Sequence, residues 1–186
     1  MTASVTETGI PGYEVATWTI DPVHSEVGFS VRHMMVSKVR GRFTAFSGQI
    51  VTADDPTKSS VTAEIDLSSI NTGQEQRDEH IKSADFFEVE TYPTMTYRST
   101  GVKVEDGEYV LAGDLTLKGV TRSVPLKLEL QGFGPDAYGG YRAGFTATGE
   151  INRSDFNVSF NAPMANGGVV VGDKIQLQLE IEAVKA

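Results

Sequence analysis

The chain has 186 residues, a net charge of −9 and no cysteine. This length suits one β-rich domain with its own core, and a hydrophobic content of 39% keeps the chain outside the disordered class. The negative charge argues against a nucleic-acid partner, because such affinity rests on neutralising phosphates with Lys and Arg. The absence of cysteine excludes disulfides, thiolate metal sites and a cysteine nucleophile.

The amino-terminal segment, residues 1–12, is polar and ends in Pro11-Gly12. We expect it to be a flexible tail that precedes a single domain over residues 13–186. The segment lacks the basic and apolar regions of a secretory signal, and no run approaches the ~20 apolar residues of a membrane span. The sequence therefore predicts a cytoplasmic protein without a transmembrane segment.

Beyond the tail, apolar and polar residues alternate with a period of two, which is typical of strands buried on one face. Turn signals at residues 105–109, 117–122 and 134–140 indicate hairpins between them. The sequence predicts an all-β fold, an extended eight-stranded antiparallel β-barrel, because closure covers both the apolar faces and the strand edges. The clearest apolar faces are Val27, Phe29 and Val31; Val61, Ala63, Ile65 and Leu67; Tyr109, Leu111, Leu115 and Leu117; Val124, Leu126, Leu128 and Leu130; and Ile175, Leu177, Leu179 and Ile181.

One or two short helices are expected beside the strands. The first lies at residues 33–37. The second begins near Thr72, whose spacing to Glu75 is that of a capping box, and Asp78 and Lys82 form an i, i+4 pair in the favourable order.

Two local patterns bear on the barrel interior. Phe43 and Phe46 have opposite parity, so a bulge or bend near Thr44 and Ala45 is needed to turn both rings inward. The apolar face of residues 141–151 mixes large with very small side chains. Small residues facing inward would leave a cavity for one ligand, or would simply let the strands coil tightly.

The motifs for common chemistries are missing. The three histidines lack the i, i+4 spacing of a helical ligand pair, so no metal site is expected. His24 and Ser25 are neighbours in a strand and point to opposite faces, which excludes a dyad. The glycine-rich stretch at residues 167–174 fails the phosphate-loop pattern. We interpret it as a flexible turn that could gate a barrel mouth.

The polar segment before Phe86 and Phe87 allows two interpretations. Arg77 and His80, at i and i+3 on one helix face, could meet the head of a ligand. Alternatively, Arg77, Asp78 and His80 could tether the helix to the barrel through backbone hydrogen bonds. Phe86 and Phe87 are core anchors or pocket lining.

Four ordered blocks, at residues 18–48, 77–99, 113–126 and 151–157, resemble the YceI-like family over most of the chain. The resemblance implies a lipocalin-like barrel that binds a polyisoprenoid or similar long amphiphile, such as a prenyl phosphate or a quinone, without a cofactor or established catalysis. Many relatives carry a signal peptide, whereas this chain shows none, which favours a cytoplasmic carrier here. A homodimer is a further expectation, because isolated barrels often pair through a surface strand or helix.

Together these observations predict storage or transport of an isoprenoid lipid in the barrel. An apolar chain needs a tunnel more than polar contacts, since each buried methylene yields about 0.8 kcal/mol. The predicted ligand-binding residues are the interior Val27, Phe29, Phe43, Phe46, Phe86, Phe87, Tyr97, Leu115 and Phe145, the gap-filling Met34 and Met35, and the headgroup candidates Arg32, His33, Arg77 and His80.

Two alternatives stay open. The chain could be an enzyme that acts on a lipophilic substrate, with His33 or His80 as general base and a carboxylate such as Asp78 orienting it. It could also be a tightly packed barrel without a cavity that acts through its surface or as a dimer.

Overall fold

The computed structural model describes residues 8–162 and 170–186. Within these ranges the chain forms strands β1 to β12, a two-turn helix α1 and three short 3-10 helices. No helix in this part of the chain is both long and apolar enough to cross a membrane. The elements are β1 (Ala16–Ile20), β2 (Glu26–His33), β3 (Ser37–Phe43), β4 (Phe46–Thr52), β5 (Ser60–Asp66), β6 (Ile70–Asn71), α1 (Glu75–Lys82), β7 (Thr94–Glu105), β8 (Glu108–Leu117), β9 (Val120–Ser123), β10 (Leu126–Pro135), β11 (Tyr141–Asn152) and β12 (Val171–Lys185), with the 3-10 helices at Pro56–Lys58, Leu67–Ser69 and Arg153–Phe156.

The strands form a closed eight-stranded antiparallel barrel, as predicted. Their order is β1-β4-β5-β7-β8-β10-β11-β12, and β12 pairs back with β1 to close the ring. The long strand β12 also pairs with β2, β2 pairs with β3, and β3 pairs with β6. The wall thus continues as β2, β3 and β6 beyond the end of β1, which lengthens the barrel along its axis.

The bend predicted near Thr44 and Ala45 is confirmed. Strand β3 ends at Phe43 and β4 begins at Phe46, so the two residues between them change the alternation of inward and outward side chains. Both phenylalanines consequently face the interior of the barrel.

An aromatic cluster, called the aromatic plug, packs at one end of the barrel and consists of Tyr13, Trp18, Phe133 and Tyr141. Trp18 is fully buried, and its ring contacts those of Phe133 and Tyr141 at centroid distances of 5.6 and 6.0 Å. The indole Nε1 donates to Thr52 Oγ1 over 2.9 Å, so the buried polar atom is satisfied. The aromatic plug therefore fills this end of the barrel with packed rings, and the buried indole N–H has a hydrogen-bond acceptor.

The prediction of a helix at residues 33–37 is wrong. His33 pairs with Ser37 across the β2–β3 hairpin, and Met34 and Met35 form its turn with φ of 51° and 64°. The pairing of two full strands requires a tight reversal at this point, and the left-handed backbone that provides it is incompatible with a right-handed helix.

Helix α1 is confirmed, but its predicted capping box is wrong. The N-cap is Gln74, which makes no side-chain capping bond. Thr72 lies two residues further upstream and is engaged by side chains that reach back from the helix. Residues 1–7 of the predicted tail and residues 167–169 of the predicted gating turn lie outside the described residues.

The small residues predicted to leave a cavity serve partly to admit neighbouring side chains. A Cβ atom at Gly149 would lie 2.6 Å from Leu126 Cδ2. Tight packing therefore explains this glycine, whereas Ala147 does face the cavity described next.

Candidate functional site

An apolar cavity of about 310 Å³ runs through the barrel. It reaches from Tyr13 and Ser59 beside the aromatic plug to Val158 and Val171 at the opposite end. The packed barrel without a cavity is thus excluded. All nine predicted interior residues line it, namely Val27, Phe29, Phe43, Phe46, Phe86, Phe87, Tyr97, Leu115 and Phe145.

The cavity is long rather than round. Its wall follows β12 from Val171 to Ile181, which corresponds to roughly 33 Å of strand at 3.3 Å per residue. A strand tilt of about 40° reduces this to roughly 25 Å along the barrel axis. A narrow apolar tunnel of this length suits an extended hydrocarbon chain better than a compact metabolite.

Two of the polar groups on the cavity wall bond to backbone carbonyls of the protein itself. Tyr97 donates its hydroxyl proton to the Val124 carbonyl over 2.7 Å, and burial raises the pKa of Tyr97 above its ordinary value. At the plug end, Thr52 donates its hydroxyl proton to the Glu14 carbonyl over 2.6 Å. The wall therefore offers a ligand mainly dispersion contacts and release of water.

A buried arginine, Arg153, borders the cavity at the end opposite the plug. The residue is 95% buried, and its guanidinium lies over the Phe86 ring at 5.9 Å. The guanidinium donates to four backbone carbonyls at 2.8 to 3.2 Å, those of Val158, Phe160, Val171 and Gly172.

Among the described residues Arg153 forms no ion pair within 4 Å; burial lowers the pKa of Arg153, and the nearby Asp173 carboxylate acts in the opposite direction. The positive charge is thus held mainly by carbonyl dipoles. A polar or anionic group at this end of the cavity would meet a favourable potential. Arg153 was absent from the predicted site, although it lies within the family-like block at residues 151–157.

Arg77 and Asp78 anchor α1 to the residue where β6 leads into it. Arg77 donates from Nε to Thr72 Oγ1 and from Nη2 to the Thr72 carbonyl, both over 2.7 Å. Asp78 accepts bonds from the Thr72 backbone N–H over 2.9 Å and from its hydroxyl. The tethering interpretation accounts for both side chains. Contact of Arg77 with a ligand stays a prediction.

His80 lies on the same helix but is held differently. Its Nε2 is 2.8 Å from Asp85 Oδ2, and its ring packs edge-on against Phe86 and Phe160 at centroid distances of 5.1 Å. Asp78, the example given of a carboxylate that orients the histidine, is engaged by Thr72. A different carboxylate, that of Asp85, pairs with His80.

The remaining predicted residues lie at the β2–β3 turn. Arg32 is exposed on the outer face of β2, and Met34 and Met35 are 41% and 55% exposed at the turn itself. In the described part of the chain the cavity wall does not include Arg32, His33, Met34 or Met35. Their predicted ligand contacts stay predictions.

A second polar cluster lies beside the aromatic plug, outside the cavity. Arg142 donates to Asp21, Glu182 and Asp136 over 2.7 to 2.9 Å, and His24 Nδ1 is 2.8 Å from Asp21. Arg142 holds the pKa values of Asp21 and Asp136 below their ordinary range.

Asp21, His24 and Glu182 are close enough together to share a metal ion. The same carboxylate oxygens of Asp21 and Glu182, however, already accept bonds from Arg142. A metal ion would have to displace the guanidinium, so we interpret the cluster as a structural clamp.

A closed antiparallel barrel of eight strands around a narrow apolar cavity defines a lipocalin-like binding barrel. The YceI-like domain model matches residues 18–183, and the chain belongs to the YceI-like family. It is 43% identical over 135 residues to the UPF0312 protein plu2095 of Photorhabdus laumondii, covering 72% of this chain and 70% of that one. It is 36% identical over 163 residues to Protein YceI of Salmonella newport, covering 87% and 82%.

Solved structures agree with this fold. A YCEI protein of Campylobacter jejuni is 30% identical with a TM-score of 0.70, over 89% of this chain and 96% of that one. A polyisoprenoid binding domain from Saccharophagus degradans, described as implicated in plant cell wall breakdown, has a TM-score of 0.67 at 18% identity, over 93% and 100%. The second likeness concerns the fold alone.

Proposed function

We propose that the chain binds a long-chain isoprenoid or a similar amphiphile, such as a prenyl phosphate or a quinone, and stores or transports it. The observation that carries this proposal is the elongated apolar cavity, whose wall provides little directed polar contact. Family membership and the likeness to a polyisoprenoid binding domain support it.

The hydrocarbon chain would extend along the barrel axis toward the aromatic plug. Burial of each methylene contributes about 0.8 kcal/mol, so several isoprene units suffice for tight binding without hydrogen bonds. The ligand head would lie at the opposite end, where Arg153 provides a buried positive charge. Arg32, His33, Arg77 and His80 are further candidates for contact with the head.

Native mass spectrometry of protein purified without detergent tests the proposal. We expect a co-purified lipid, identified by extraction and its mass, or otherwise uptake of added prenyl phosphate or quinone. Absence of both would refute the proposal.

A cavity-blocking variant localises the ligand. Ala147→Phe places a ring inside the cavity, and Thr148→Phe places the same ring on the adjacent outer surface of β11. We expect Ala147→Phe to lose lipid and Thr148→Phe to retain it, at comparable thermal stability. Equal retention by both folded variants would contradict binding inside the barrel.

A further inference from the structure

The β2–β3 hairpin ends in an exposed apolar tip, Met34–Val36. The residues Met34, Met35 and Val36 are 41%, 55% and 82% exposed. The tip lies at the end of the barrel that carries α1 and Arg153, because the Met34 N–H donates to the Val170 carbonyl just before β12 over 2.7 Å. Three consecutive apolar side chains are thus presented to solvent at this end of the cavity.

The backbone of the tip is unfavourable for the residues that form it. Met34 and Met35 adopt φ of 51° and 64°, a conformation that Asn and Gly tolerate far better in two-residue hairpin turns. A methionine at each position strains the backbone and also exposes apolar surface to water, and both effects are unfavourable. Stability of the barrel does not explain this choice, which indicates a role for the side chains outside the fold.

A basic surface flanks the tip, consisting of Arg32, Lys38, Arg40 and Arg42. All four lie at alternate positions on the outer face of β2 and β3 and are exposed. Arg32 pairs directly with Lys38 across the hairpin, and like charges in this arrangement repel.

These four cations have no acidic partner in the described residues. The ion pairs found across residues 8–162 and 170–186 involve other side chains. The sequence contains no Asp or Glu from residue 27 to residue 53, and residues 163–169 contain none either. A chain of net charge −9 therefore carries a local basic patch whose side chains form no ion pair within 4 Å among the described residues.

We propose that the apolar tip and its basic surface dock the barrel onto an anionic lipid bilayer. The tip would insert among the acyl chains near the headgroups, while the four cations face anionic lipid heads. The net negative charge of the whole chain does not oppose this binding. Charges further from the bilayer than a Debye length of about 8 Å are largely screened, so the local basic patch determines the attraction.

Two alternative roles for this surface fit less well. Cations on an edge strand such as β3 can serve to prevent aggregation, but exposed methionines at its tip would undo that protection. Pairing of two copies through this surface would bring the two basic patches together. An anionic bilayer matches both the charge and the apolar tip.

Flotation of the whole chain with vesicles tests the proposal. We expect binding to vesicles that contain roughly one third phosphatidylglycerol and little binding to pure phosphatidylcholine. Salt near 1 M, where the Debye length is about 3 Å, should release most of the protein. Absence of binding to the anionic vesicles would overturn the proposal.

Two variants separate the apolar and electrostatic parts. Met34→Asn with Met35→Gly should lower partitioning about tenfold or more while raising thermal stability, because the turn then has its preferred residues. Arg32→Gln with Lys38→Gln and Arg40→Gln should abolish the preference for anionic vesicles. Wild-type partitioning by either folded variant would contradict the proposed surface.

Matched controls lie elsewhere on the barrel. Tyr138→Ser removes a 90% exposed aromatic side chain near the plug, and Lys103→Gln with Lys127→Gln removes two exposed cations. Both controls should partition like the wild type, and an equal loss in them would show that any surface change suffices. The test needs no bound lipid inside the barrel, so its outcome is independent of the proposed function.

Discussion

The two ends of the barrel differ in how they are completed. At the plug end, Trp18 is fully buried, its indole N–H is bonded to Thr52, and Arg142 clamps three carboxylates nearby. At the α1 end, the helix buries none of its residues completely, apolar residues are exposed at the Met34–Val36 tip, and Arg153 has carbonyls in place of an acid.

The two ends of the barrel therefore differ in how tightly they are packed. The plug end satisfies its polar groups and packs its rings, as expected of a region that holds the fold together. The α1 end is covered by small elements tethered through a few side chains, as expected of a region of low local stability. Substitutions at the plug should therefore act mainly on stability, and substitutions at the α1 end should act more on ligand retention.

The largest effect is expected at the plug. Trp18→Ala removes a fully buried indole and should destabilise the fold by about 3–5 kcal/mol. Urea unfolding followed by far-ultraviolet circular dichroism measures the loss, because Trp18 is the single tryptophan. Val23→Ala, at a residue 83% exposed, should be nearly neutral. A small loss in Trp18→Ala would show that the plug is not a main source of stability.

A smaller effect is expected at Arg153. Arg153→Met leaves several carbonyls without their donor, which should cost about 1–3 kcal/mol. If the charge also attracts the ligand head, prenyl phosphate affinity should fall more than the affinity for an uncharged quinone. Arg122→Met removes an exposed arginine with a single backbone bond of 3.3 Å and serves as the control. Unchanged selectivity between the two ligands would leave Arg153 a structural residue.

The tether of α1 should matter less again. Arg77→Met removes two hydrogen bonds to Thr72 and should cost about 1 kcal/mol even in the empty protein. Thermal unfolding with and without lipid measures this, with Arg98→Met, at an exposed position, as the comparison. A loss of affinity without a loss of stability in the empty protein would instead assign Arg77 to the ligand head.

The smallest effect at neutral pH is expected for Arg142→Met, because the clamp is partly exposed and screened. Arg142 lowers the pKa values of Asp21 and Asp136. The clamp thus stabilises the fold above the ordinary carboxyl pKa of about 3.9 and loses this contribution as pH falls through the lowered values. The difference in melting temperature between wild type and variant should therefore shrink toward acid.

Melting curves of wild type and Arg142→Met, recorded from neutral pH down through the lowered carboxyl pKa values, follow this trend. Lys127→Met, whose ion pair with Glu108 is exposed and 3.7 Å long, should show little pH-dependent difference. A difference that stays constant with pH would contradict the role of the clamp.

Much of the barrel could be predicted because its signal is local. Alternation with period two identifies inward side chains without knowledge of their neighbours, and the interior residues predicted on strands lie on the cavity wall. Phe86 and Phe87, predicted from their aromatic character instead, lie there too. The bend between Phe43 and Phe46 followed from the same rule, since two aromatic residues of opposite parity both need burial.

The errors arise where distant contacts decide the conformation. The sequence Met34-Met35 contains no signal for a left-handed turn. The pairing of β2 with β3 imposes that backbone conformation on the two residues. Thr72 has the spacing of a cap, yet Arg77 and Asp78 reach back and engage it. The Arg153 guanidinium donates to carbonyls from two separate segments of the chain. Its hydrogen-bond partners therefore could not be inferred from its neighbours in sequence.

The closure of the barrel has a consequence for how the chain folds. Trp18 of β1 pairs with Lys185 of β12, so the first and last strands meet only when almost the whole chain is present. Pairing across such a sequence separation carries a large loop-closure entropy, which slows folding. The wall of the barrel can therefore close only after β12 has been synthesised.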